Sequence, residues 1–468
     1  MGKRPNIVVI VSDTLRVSHL GCYGNRHIRT PNIDRFAAQS VRFLRCHPES
    51  LPTIPVRRAL HTGRRSYPFR SYRPLKWDIV HLPGWQPMDN EEDTLAESLA
   101  QAGYHTGFIT DTLPYFAPGM NFHRGFWQWE FIRGQQQDRW RSPFAVSSDR
   151  LRCYGDPNEL LTDIHGLVPT YLANSAHIHR EEDTCTARVF SEAIRFLHDN
   201  QKGQPFYLLI DSFAPHEPWE APRSYYEMYG DPNYSGRRIV HCHYGPAPSF
   251  GYTSAEIAYV HAHYCGLVSL VDTWIGRFLD ALDDFDLSKN TVVCLTSDHG
   301  TNFCDNPRQV IGKPEDAMYP GVMRLPLIIR IPDIRLAGTT RSELVYNLDL
   351  TATLYDLVDL DMQQSLHGQS LLSLLSGKRH WHPRPYVTCR YGHSLCYIDD
   401  QHWLLGDIEG NLHEAFALDS DPSCQNNIAA HVSGDVWKRA WDALVKDADG
   451  AFPDYRDQDQ TDAIGQRY

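Results

Sequence analysis

The sequence predicts an α/β protein with a large mixed, mostly parallel sheet flanked by helices, followed by a small C-terminal antiparallel sheet with one helix. Two observations support this fold class. Short apolar, β-branched runs alternate with helical patterns up to Gly377, and the pattern then changes to short alternating runs. The chain has 468 residues, more than the ~250–300 at which single cores stop growing. We therefore expect two domains, at residues 1–377 and 378–468.

The first predicted strand, at residues 6–12, is nearly continuous in apolar and β-branched residues. This composition is typical of a parallel strand that is buried on both faces. Similar runs predict strands at residues 106–110, 206–212, 291–297 and 325–331. Helical patterns between them predict helices at residues 32–39, 94–102, 184–200, 254–282 and 348–357.

The C-terminal part reads as a small antiparallel sheet covered by a helix. Its alternating runs predict strands at residues 385–391, 395–398, 403–407 and 412–418. The covering helix is predicted at residues 434–446. From residue 447 the sequence is polar, which predicts a loose tail.

Charge and composition limit the partners that the protein is expected to have. A net charge of -12 disfavours a nucleic-acid or anionic-membrane partner. The apolar run at the start is too short for a membrane span and lacks a secretory cleavage pattern, so we expect a cytoplasmic protein. One basic cluster is expected to be either a solvated surface or an electropositive funnel for an anionic substrate. Within it, Arg58 is expected to make a surface ion pair. The cluster comprises Arg57, Arg58, Arg64, Arg65, Arg70 and Arg73.

The cysteines are odd in number and include no Cys-x-x-Cys pair. In a reducing compartment such cysteines are mostly small buried hydrophobes. Their spacing implies neither a disulfide framework nor a zinc ribbon.

Polar residues follow three of the predicted strands, in the segments SDT, DSFAPHEP and TSDHG. The carboxyl ends of strands in open α/β sheets commonly line a ligand crevice. Asp13, Asp298 and His299 could therefore meet at one sheet edge, as ligands suited to Ca²⁺, Mg²⁺, Mn²⁺ or Zn²⁺. Taken alone, an Asp after a strand is more often a cap or turn residue.

The segment TIPVRRALHTGR, residues 53–64, resembles the active-site signature of the sulfatase family. That signature is Cys-x-Pro-Ser-Arg followed by six residues ending in Thr-Gly, and its Cys is oxidised to formylglycine. Here Thr53 holds the nucleophile position and Val56 replaces the Ser. A secondary alcohol cannot become that aldehyde. The resemblance therefore implies an unmodified threonine nucleophile, as in several phosphate-ester hydrolases of the alkaline-phosphatase superfamily.

The resemblance covers nearly the whole chain and implies an alkaline-phosphatase-like fold. It also implies one divalent metal ion, Mn, Ca, Mg or Zn, held by Asp13, Thr53, Asp298 and His299. Two departures concern this site. Thr14 stands where many sulfatases have a second Asp, and His299 stands where Asn is common, which is closer to the phosphonate and phosphodiester hydrolases.

Further roles follow from the resemblance. Arg57 would add positive charge beside the nucleophile, His216 in PHEPW would be a general acid for the leaving oxygen, and Lys313 would contact the anionic oxygens. The Lys and His that sulfatases carry after the GY-x-T strand are absent. Asp111 and Thr112 stand there instead, either as contacts to a substrate hydroxyl or leaving group, or as caps. The aromatic segment 121–138 forms either a pocket wall or a core-packing loop.

The predicted function is a metal-dependent hydrolase of phosphate esters, either phosphodiesters or phosphonate monoesters. It would pass through a covalent phospho-Thr53 intermediate that water hydrolyses, a step that phosphate esters tolerate better than sulfate esters. The expected partner is a small anionic ester, and the resemblance leaves a homo-oligomer open. Two alternatives remain: a sulfatase-like hydrolase of sulfate esters, and a noncatalytic anion-binding homologue.

Overall fold

The computed structural model describes residues 4–70, 72–73, 80–155, 160, 166–203, 205–332, 336–360, 364–377 and 381–456. Its strands are β1 Asn6–Ser12, β2 Val41–His47, β3 Ser50–Leu51, β4 His105–Thr110, β5 Gln128–Phe131, β6 Phe206–Ser212, β7 Gly245–Pro246, β8 Thr291–Thr296, β9 Asn302–Phe303, β10 Val310–Gly312, β11 Leu325–Arg330, β12 Thr340–Tyr346, β13 Val387–Tyr391, β14 Ser394–Ile398, β15 His402–Asp407 and β16 Leu412–Ala417. Its α-helices are α1 Pro31–Ala38, α2 Thr53–Thr62, α3 Leu95–Gln101, α4 Ser148–Arg152, α5 Leu167–Asn174, α6 Cys185–Asn200, α7 Arg223–Tyr226, α8 Ser254–Asp284, α9 Pro320–Met323, α10 Asp349–Leu357, α11 Leu372–Ser376 and α12 Gly434–Asp447.

The main sheet has eight strands in the order β12-β2-β11-β8-β1-β6-β4-β5. Strand β11 runs antiparallel to both of its neighbours, and the other adjacent pairs are parallel. The predicted mixed, mostly parallel sheet is therefore confirmed. The carboxyl ends of β1, β6 and β8 lie side by side, because these three strands are parallel neighbours.

The two faces of this sheet are both covered, which explains the continuous apolar run of β1. Val8 and Ile10 belong to a core with apolar residues of α1, α6 and α8. Ile7, Val9 and Val11 belong to a second core with residues of α2, α3 and α10. Successive side chains of a strand point to opposite faces, so both faces of β1 need apolar residues.

Three strands of the main sheet were not predicted: β2, β5 and β12. The sequence VRFLRCH of β2 places two arginines among its apolar residues, and TRSELVY of β12 begins with exposed and partly exposed residues. Strand β5 is an edge strand with the pattern QWEF, and none of its residues is fully buried. These strands lack the continuous apolar run used for the prediction.

The predicted C-terminal sheet is present as the antiparallel strands β13 to β16. Helix α12 packs on it through Ala440, Ala443 and Leu444. The short strand β3 joins this sheet, parallel to β13. The segment directly before Thr53 is thus fixed by the C-terminal sheet, and the division of the chain at Gly377 stays a prediction.

The predicted loose tail is wrong for its described part, residues 447–456. Pro453 O accepts a hydrogen bond of 2.7 Å from Arg390, and the Tyr455 hydroxyl donates one of 2.6 Å to Phe69 O. Tyr455 is buried in a small aromatic cluster. The remaining predicted tail, 457–468, lies outside the described residues. Within the described ranges, no helix is both long and apolar enough to cross a bilayer.

Candidate active site

Three buried carboxylates meet at the carboxyl ends of the parallel strands. Asp13 follows β1, Asp211 lies near the end of β6, and Asp298 follows β8. Each of the three is 0% exposed. The backbone N–H of Asp13 donates a hydrogen bond of 2.9 Å to Ser212 O, which ties the ends of β1 and β6 together.

Helix α2 presents Thr53 and Arg57 to these carboxylates. The two residues are one turn apart and therefore share a face of the helix. The helix ends at Thr62 because Gly63 adopts a left-handed conformation, with φ of 68°, and donates to Ala59 O. Both Thr53 and Arg57 are buried.

Arg57 binds all three carboxylates. Its Nε and Nη2 donate to the two oxygens of Asp211 at 2.9 and 2.8 Å, and Nη2 lies 3.1 Å from Asp13 Oδ2. Its Nη1 donates to Asp298. Arg57 lies one helical turn from Thr53, the predicted nucleophile, but its guanidinium is 0% exposed and paired with protein carboxylates. It organises the carboxylates and does not reach into the open cavity.

His299 connects the carboxylates to Thr53. Its Nδ1 lies 3.0 Å from Gly300 O, and since a carbonyl can only accept, Nδ1 carries the proton. Its Nε2 lies 3.2 Å from Thr53 Oγ1, 3.3 Å from Asp298 Oδ2 and 3.9 Å from Asp13 Oδ1. Burial lowers the pKa of His299 to about 4, so the ring is neutral at pH 7 and Nε2 has a free lone pair.

This donor set fits a divalent cation. Ligand atoms of Asp13, Asp298 and His299 all lie within 4.8 Å of one another. Three carboxyl groups face one guanidinium, so if all three are ionised, two negative charges are left for a cation to balance. Asp13 Oδ2 accepts no hydrogen bond from the described residues. Burial, followed by the charge of Asp298, raises the pKa of Asp13 well above its usual range.

Thr14 occupies the position where many sulfatases carry a second Asp. Its φ is 61°, and its hydroxyl donates to Asp13 Oδ1 at 2.7 Å. Its backbone N–H donates to Asp298 Oδ1 at 3.1 Å. Thr14 therefore orients two of the candidate ligands instead of adding a third carboxylate.

A cavity of about 510 Å³ opens over Thr53, a size within the range of small-molecule sites. Thr53, His216 and Lys313 all line it. Most of its other walls are apolar or aromatic. Its described lining residues are Pro52, Thr53, Val80, His81, Leu82, Trp85, Leu113, Pro114, Ala117, Gln136, Phe213, His216, His241, Cys242, His243, Tyr244, Phe250, Lys313 and Tyr391.

Lys313 is the only Lys or Arg among these lining residues, and it is firmly held. Its Nζ lies 3.0 Å from His216 Nε2, 3.0 Å from Glu217 Oε1 and 3.1 Å from the Tyr244 hydroxyl. The preceding Gly312 has φ of 77°, and a Cβ there would stand 2.1 Å from the Tyr244 ring. Glycine is thus required for the approach of Lys313 to Tyr244.

His216 does not hold the proton expected of a general acid in this arrangement. Its Nδ1 lies 2.6 Å from Glu217 O and donates to it, so Nε2 accepts from Lys313. Burial lowers the pKa of His216 to about 3. His216 lies in the cavity as predicted, but the proton closest to its Nε2 is on Lys313.

Asp111 and Thr112 are not among the residues that line the cavity. Asp111 accepts hydrogen bonds from the Phe213 N–H at 2.7 Å and from Gln135 Nε2 at 3.0 Å. The Thr112 hydroxyl donates to Asp211 Oδ1 at 3.1 Å. Instead of contacting a substrate, as predicted, Asp111 binds the backbone after β6 and Thr112 binds Asp211. The segment 121–138 contributes Gln136 to the cavity wall.

The arginines after Arg57 do not form a funnel into the cavity. None of them is among the described lining residues. Arg58 is buried rather than on the surface, and pairs with Glu92 at 2.7 Å. Arg65 lies over the rings of Tyr67 and Tyr346. These cations support the packing around α2.

Sequence reasoning missed Asp211 and Glu217 as site residues. Both lie in the segment DSFAPHEP, in which polar residues follow the apolar part of a predicted strand. Two signals could have identified these residues. Asp211 is a carboxylate near the end of a buried strand, and Glu217 lies between prolines in the segment that follows.

The chain belongs to the sulfatase family of hydrolases. The family model described as Sulfatase matches residues 5–360, and that described as N-sulphoglucosamine sulphohydrolase, C-terminal, matches residues 315–433. The chain is 26% identical to an arylsulfatase of Clostridium perfringens, over 97% of this chain and 96% of that protein. It is 23% identical to an N-acetylglucosamine-6-O-sulfatase of Bacteroides thetaiotaomicron, over 80% and 72% of the two chains.

Solved structures confirm the alkaline-phosphatase-like fold. The phosphonate monoester hydrolase of Agrobacterium radiobacter superimposes with a TM-score of 0.73 at 21% identity, over 95% of each chain. The phosphonate monoester hydrolase SpPMH of Silicibacter pomeroyi gives a TM-score of 0.70 at 19% identity, over 97% of each chain.

Proposed function

We propose that this protein is a metal-dependent hydrolase of phosphate esters, either phosphodiesters or phosphonate monoesters, that attacks through unmodified Thr53. The observation that carries the proposal is the position of the Thr53 hydroxyl. It lines the cavity, begins helix α2, and lies 3.2 Å from His299 Nε2. Because the His299 proton is on Nδ1, the Nε2 lone pair faces the Thr53 oxygen. It accepts the Thr53 proton without a cation, and with a cation bound it would be a ligand beside that oxygen.

The residue type at this position favours phosphate over sulfate. Threonine cannot form the formylglycine aldehyde, so the group transferred to Thr53 must leave by attack of water on the resulting ester. Water attack at phosphorus regenerates the alcohol through a transition state that nearby cations stabilise. Sulfate esters of a simple alcohol lack an equally accessible route.

Asp13, Thr53, Asp298 and His299 would hold one divalent cation. The closeness of their ligand atoms and the excess of carboxyl groups over the single guanidinium support this assignment. When bound, such an ion would lower the pKa of the Thr53 hydroxyl and stabilise charge on the substrate oxygens. Arg57 holds the side chains of Asp211 and Asp13 next to helix α2, which also carries Thr53. The backbone N–H groups of Thr53 and Ile54, at the start of α2, would add partial positive charge beside the substrate.

The charge of the cavity supports a monoanionic substrate. Lys313 is its one cationic lining side chain among the described residues, and Glu217 partly offsets that charge at 3.0 Å. Burial lowers the pKa of His216 to about 3 and that of His241 to about 4, so these two lining histidines add no formal charge at pH 7. A diester and a phosphonate monoester each carry one negative charge and fit this setting, as does a sulfate ester, so the charge disfavours only the dianionic phosphate monoester.

Lys313 has two roles in this proposal. Its ammonium stabilises a nonbridging oxygen, and one of its three protons turns from His216 or Tyr244 to the leaving oxygen when substrate binds. His216, Glu217 and Tyr244 hold the ammonium in place. His216 is then an orienting acceptor instead of the acid itself.

Hydrolysis of sulfate esters is the second candidate, and the sulfatase names of the sequence relatives favour it. It would use the same Thr53 hydroxyl and the same cations. The two candidates differ in which ester is turned over faster.

The test is turnover of p-nitrophenyl esters by the purified, metal-reconstituted protein. The panel contains a phosphate monoester, a phosphodiester, a phenylphosphonate monoester and a sulfate, each with wild type, Thr53→Ala and the matched control Thr53→Ser. We expect diester or phosphonate turnover that requires metal, disappears in Thr53→Ala and persists in Thr53→Ser. A preference for sulfate would support the second candidate. Ligand binding without turnover in both wild type and Thr53→Ala would indicate a noncatalytic homologue.

A covalent intermediate provides an independent check. Acid quenching during turnover, followed by peptide mass spectrometry, should find a phosphoryl or phosphonyl group on Thr53. The same peptide from resting protein should show unmodified threonine. Turnover with label on another residue would contradict the proposal.

A further inference from the structure

A second cluster of metal-ligating side chains lies on helix α8, apart from the carboxylates. It consists of His19, His261 and Cys265, whose ligand atoms all lie within 4.8 Å of one another. His261 and Cys265 are four residues apart on the helix and therefore share one face. His19 reaches them from a short 3₁₀ turn, Val17–His19, in the segment after β1.

We propose that His19, His261 and Cys265 form a structural binding site for a late first-row divalent metal, with Zn²⁺ as the preferred ion. Two imidazoles and one thiolate are the ligand types that select zinc over calcium or magnesium. The catalytic carboxylate site has the opposite character, with oxygen donors and one imidazole. The proposal is independent of the ester that the enzyme hydrolyses.

The distances are close to those that a tetrahedral ion requires. Bond lengths of about 2.1 Å to nitrogen and about 2.3 Å to sulfur place N and S ligands about 3.6 Å apart and two N ligands about 3.4 Å apart. Cys265 Sγ lies 3.7 Å from His261 Nε2. The Nε2 atoms of His19 and His261 lie 2.8 Å apart. Metal binding therefore requires the two rings to separate by about half an ångström.

The surroundings orient His19 for this role. Ser18 Oγ lies 3.1 Å from His19 Nδ1. With Ser18 as the acceptor, the ring proton is on Nδ1 and the Nε2 lone pair faces His261. A hydrogen bond of this kind to the distal nitrogen is the usual support of a metal-bound histidine. The ring also packs edge-on against Tyr264, with centroids 5.0 Å apart.

Burial and charge permit the ion. His19 and Cys265 are 7% and 6% exposed, whereas His261 is partly exposed and gives an entry path from solvent. The nearby cation Arg16 forms an ion pair with Asp305, which offsets its charge. On binding, the thiol of Cys265 loses its proton to solvent. The proton that lies between the two Nε2 atoms moves to Nδ1 of His261, so that both Nε2 lone pairs are available and the contact between the imidazoles is replaced by two metal–nitrogen bonds.

The ion would fasten the loop after β1 to helix α8. Tyr264, next to Cys265, already accepts from the Arg16 N–H at 3.0 Å and donates to Thr14 O at 2.8 Å. Thr14 in turn holds Asp13. A metal link between His19 and α8 would add a second attachment for the loop that carries this catalytic carboxylate.

The test is a Co²⁺ titration of the full chain after removal of metals with a chelator. Cobalt bound by a thiolate gives an intense charge-transfer band in the near ultraviolet, which the thiol-free carboxylate site cannot give. We expect the band in wild type and in Asp298→Asn, its loss in Cys265→Ala, and its displacement when Zn²⁺ is added. Cys304→Ala, which removes a neighbouring thiol outside the cluster, is the matched control and should keep the band.

His261→Gln is a second variant, chosen because its partly exposed side chain tolerates replacement more readily than the buried His19. We expect it to bind one equivalent of Co²⁺ less than wild type under conditions where wild type binds at both sites. Absence of the thiolate band in folded wild type, or its persistence in Cys265→Ala, would overturn the proposal.

Discussion

Lys313 Nζ lies 3.0 Å from His216 Nε2, and the opposite nitrogen of that ring donates to the Glu217 carbonyl. The ring is therefore an acceptor for the lysine, and the proton between the two groups belongs to the ammonium. The sequence predicted His216 as the acid and Lys313 as a binding cation, whereas the proposed function makes Lys313 the acid. This arrangement makes the two roles separable by experiment.

Replacement of Lys313 by Met should impair the release of poor leaving groups most. General acid catalysis typically contributes about 10²–10⁴-fold, and an alkoxide leaving group needs that proton whereas p-nitrophenoxide does not. We expect a loss of this order in kcat/KM for alkyl esters and a smaller loss for p-nitrophenyl esters. Lys313→Arg, which keeps the charge, is the control. An equal loss across a leaving-group series would show that Lys313 acts through charge alone.

Replacement of His216 by Asn should leave the shape of the pH profile unchanged. Burial lowers the pKa of His216 to about 3, so the ring does not change protonation between about pH 5 and about pH 8. We expect the variant to lower kcat/KM by a constant factor over this range, because only the orientation of Lys313 is lost. Loss of one limb of the wild-type profile would instead identify His216 as the titrating acid.

Asp111→Asn tests the supporting role of that carboxyl group through stability. Burial raises the pKa of Asp111 from 3.8 to about 7, so between these values the folded state keeps a proton that the unfolded state has released. Folding stability must therefore fall as the pH rises through this window, by up to about 1.4 kcal/mol for each pH unit.

Asn removes this titration while keeping one carbonyl acceptor. We expect the wild type to lose stability relative to Asp111→Asn as the pH rises from about 5 to about 7, as measured by urea denaturation. A difference between the two proteins that does not vary with pH would contradict the raised pKa. A direct contact of Asp111 with substrate would instead show itself as a large change in KM.

The fold could be predicted where burial is uniform along a strand. Strands β1, β6 and β8 are buried on both faces and have continuous apolar runs. Strand β2 also lies inside the sheet, next to the edge strand, but Arg42 and Arg45 interrupt its apolar pattern. The antiparallel direction of β11 depends on long-range packing. Neither feature has a local signal in the sequence.

Part of the candidate site could also be predicted. Asp13, Thr53, Asp298 and His299 do converge, because the carboxyl ends of parallel strands meet at one edge. The direction of a side chain was not predictable. Asp111 follows a strand in the same way as Asp13, yet it turns toward Phe213 and away from the cavity. Arg57 pairs with Asp211, which lies 154 residues further along the chain. No local pattern in the sequence reveals such a pairing.

The carboxylate site should stabilise the fold when it binds a hard divalent ion. Asp13, Asp211 and Asp298 are fully buried with a single guanidinium between them. A cation that binds only the folded state adds stability by mass action, about 2.7 kcal/mol at a concentration of about 100 Kd. Mg²⁺ or Mn²⁺ should therefore raise the Tm of chelator-treated protein. Mg²⁺ disfavours thiolate ligands, so it reports on this site and not on Cys265.

Asp298→Asn should lose most of this rise in Tm, because it removes one negative charge from the ligand set. Asp280→Asn, on the exposed side of α8 in a surface ion pair with Arg35, is the matched control and should respond to Mg²⁺ like the wild type. Differential scanning calorimetry with and without the ion measures the shift. If Asp298→Asn and the wild type gained the same Tm, the ion would bind elsewhere, and the carboxylates would be balanced by Arg57 and protonation of Asp13 alone.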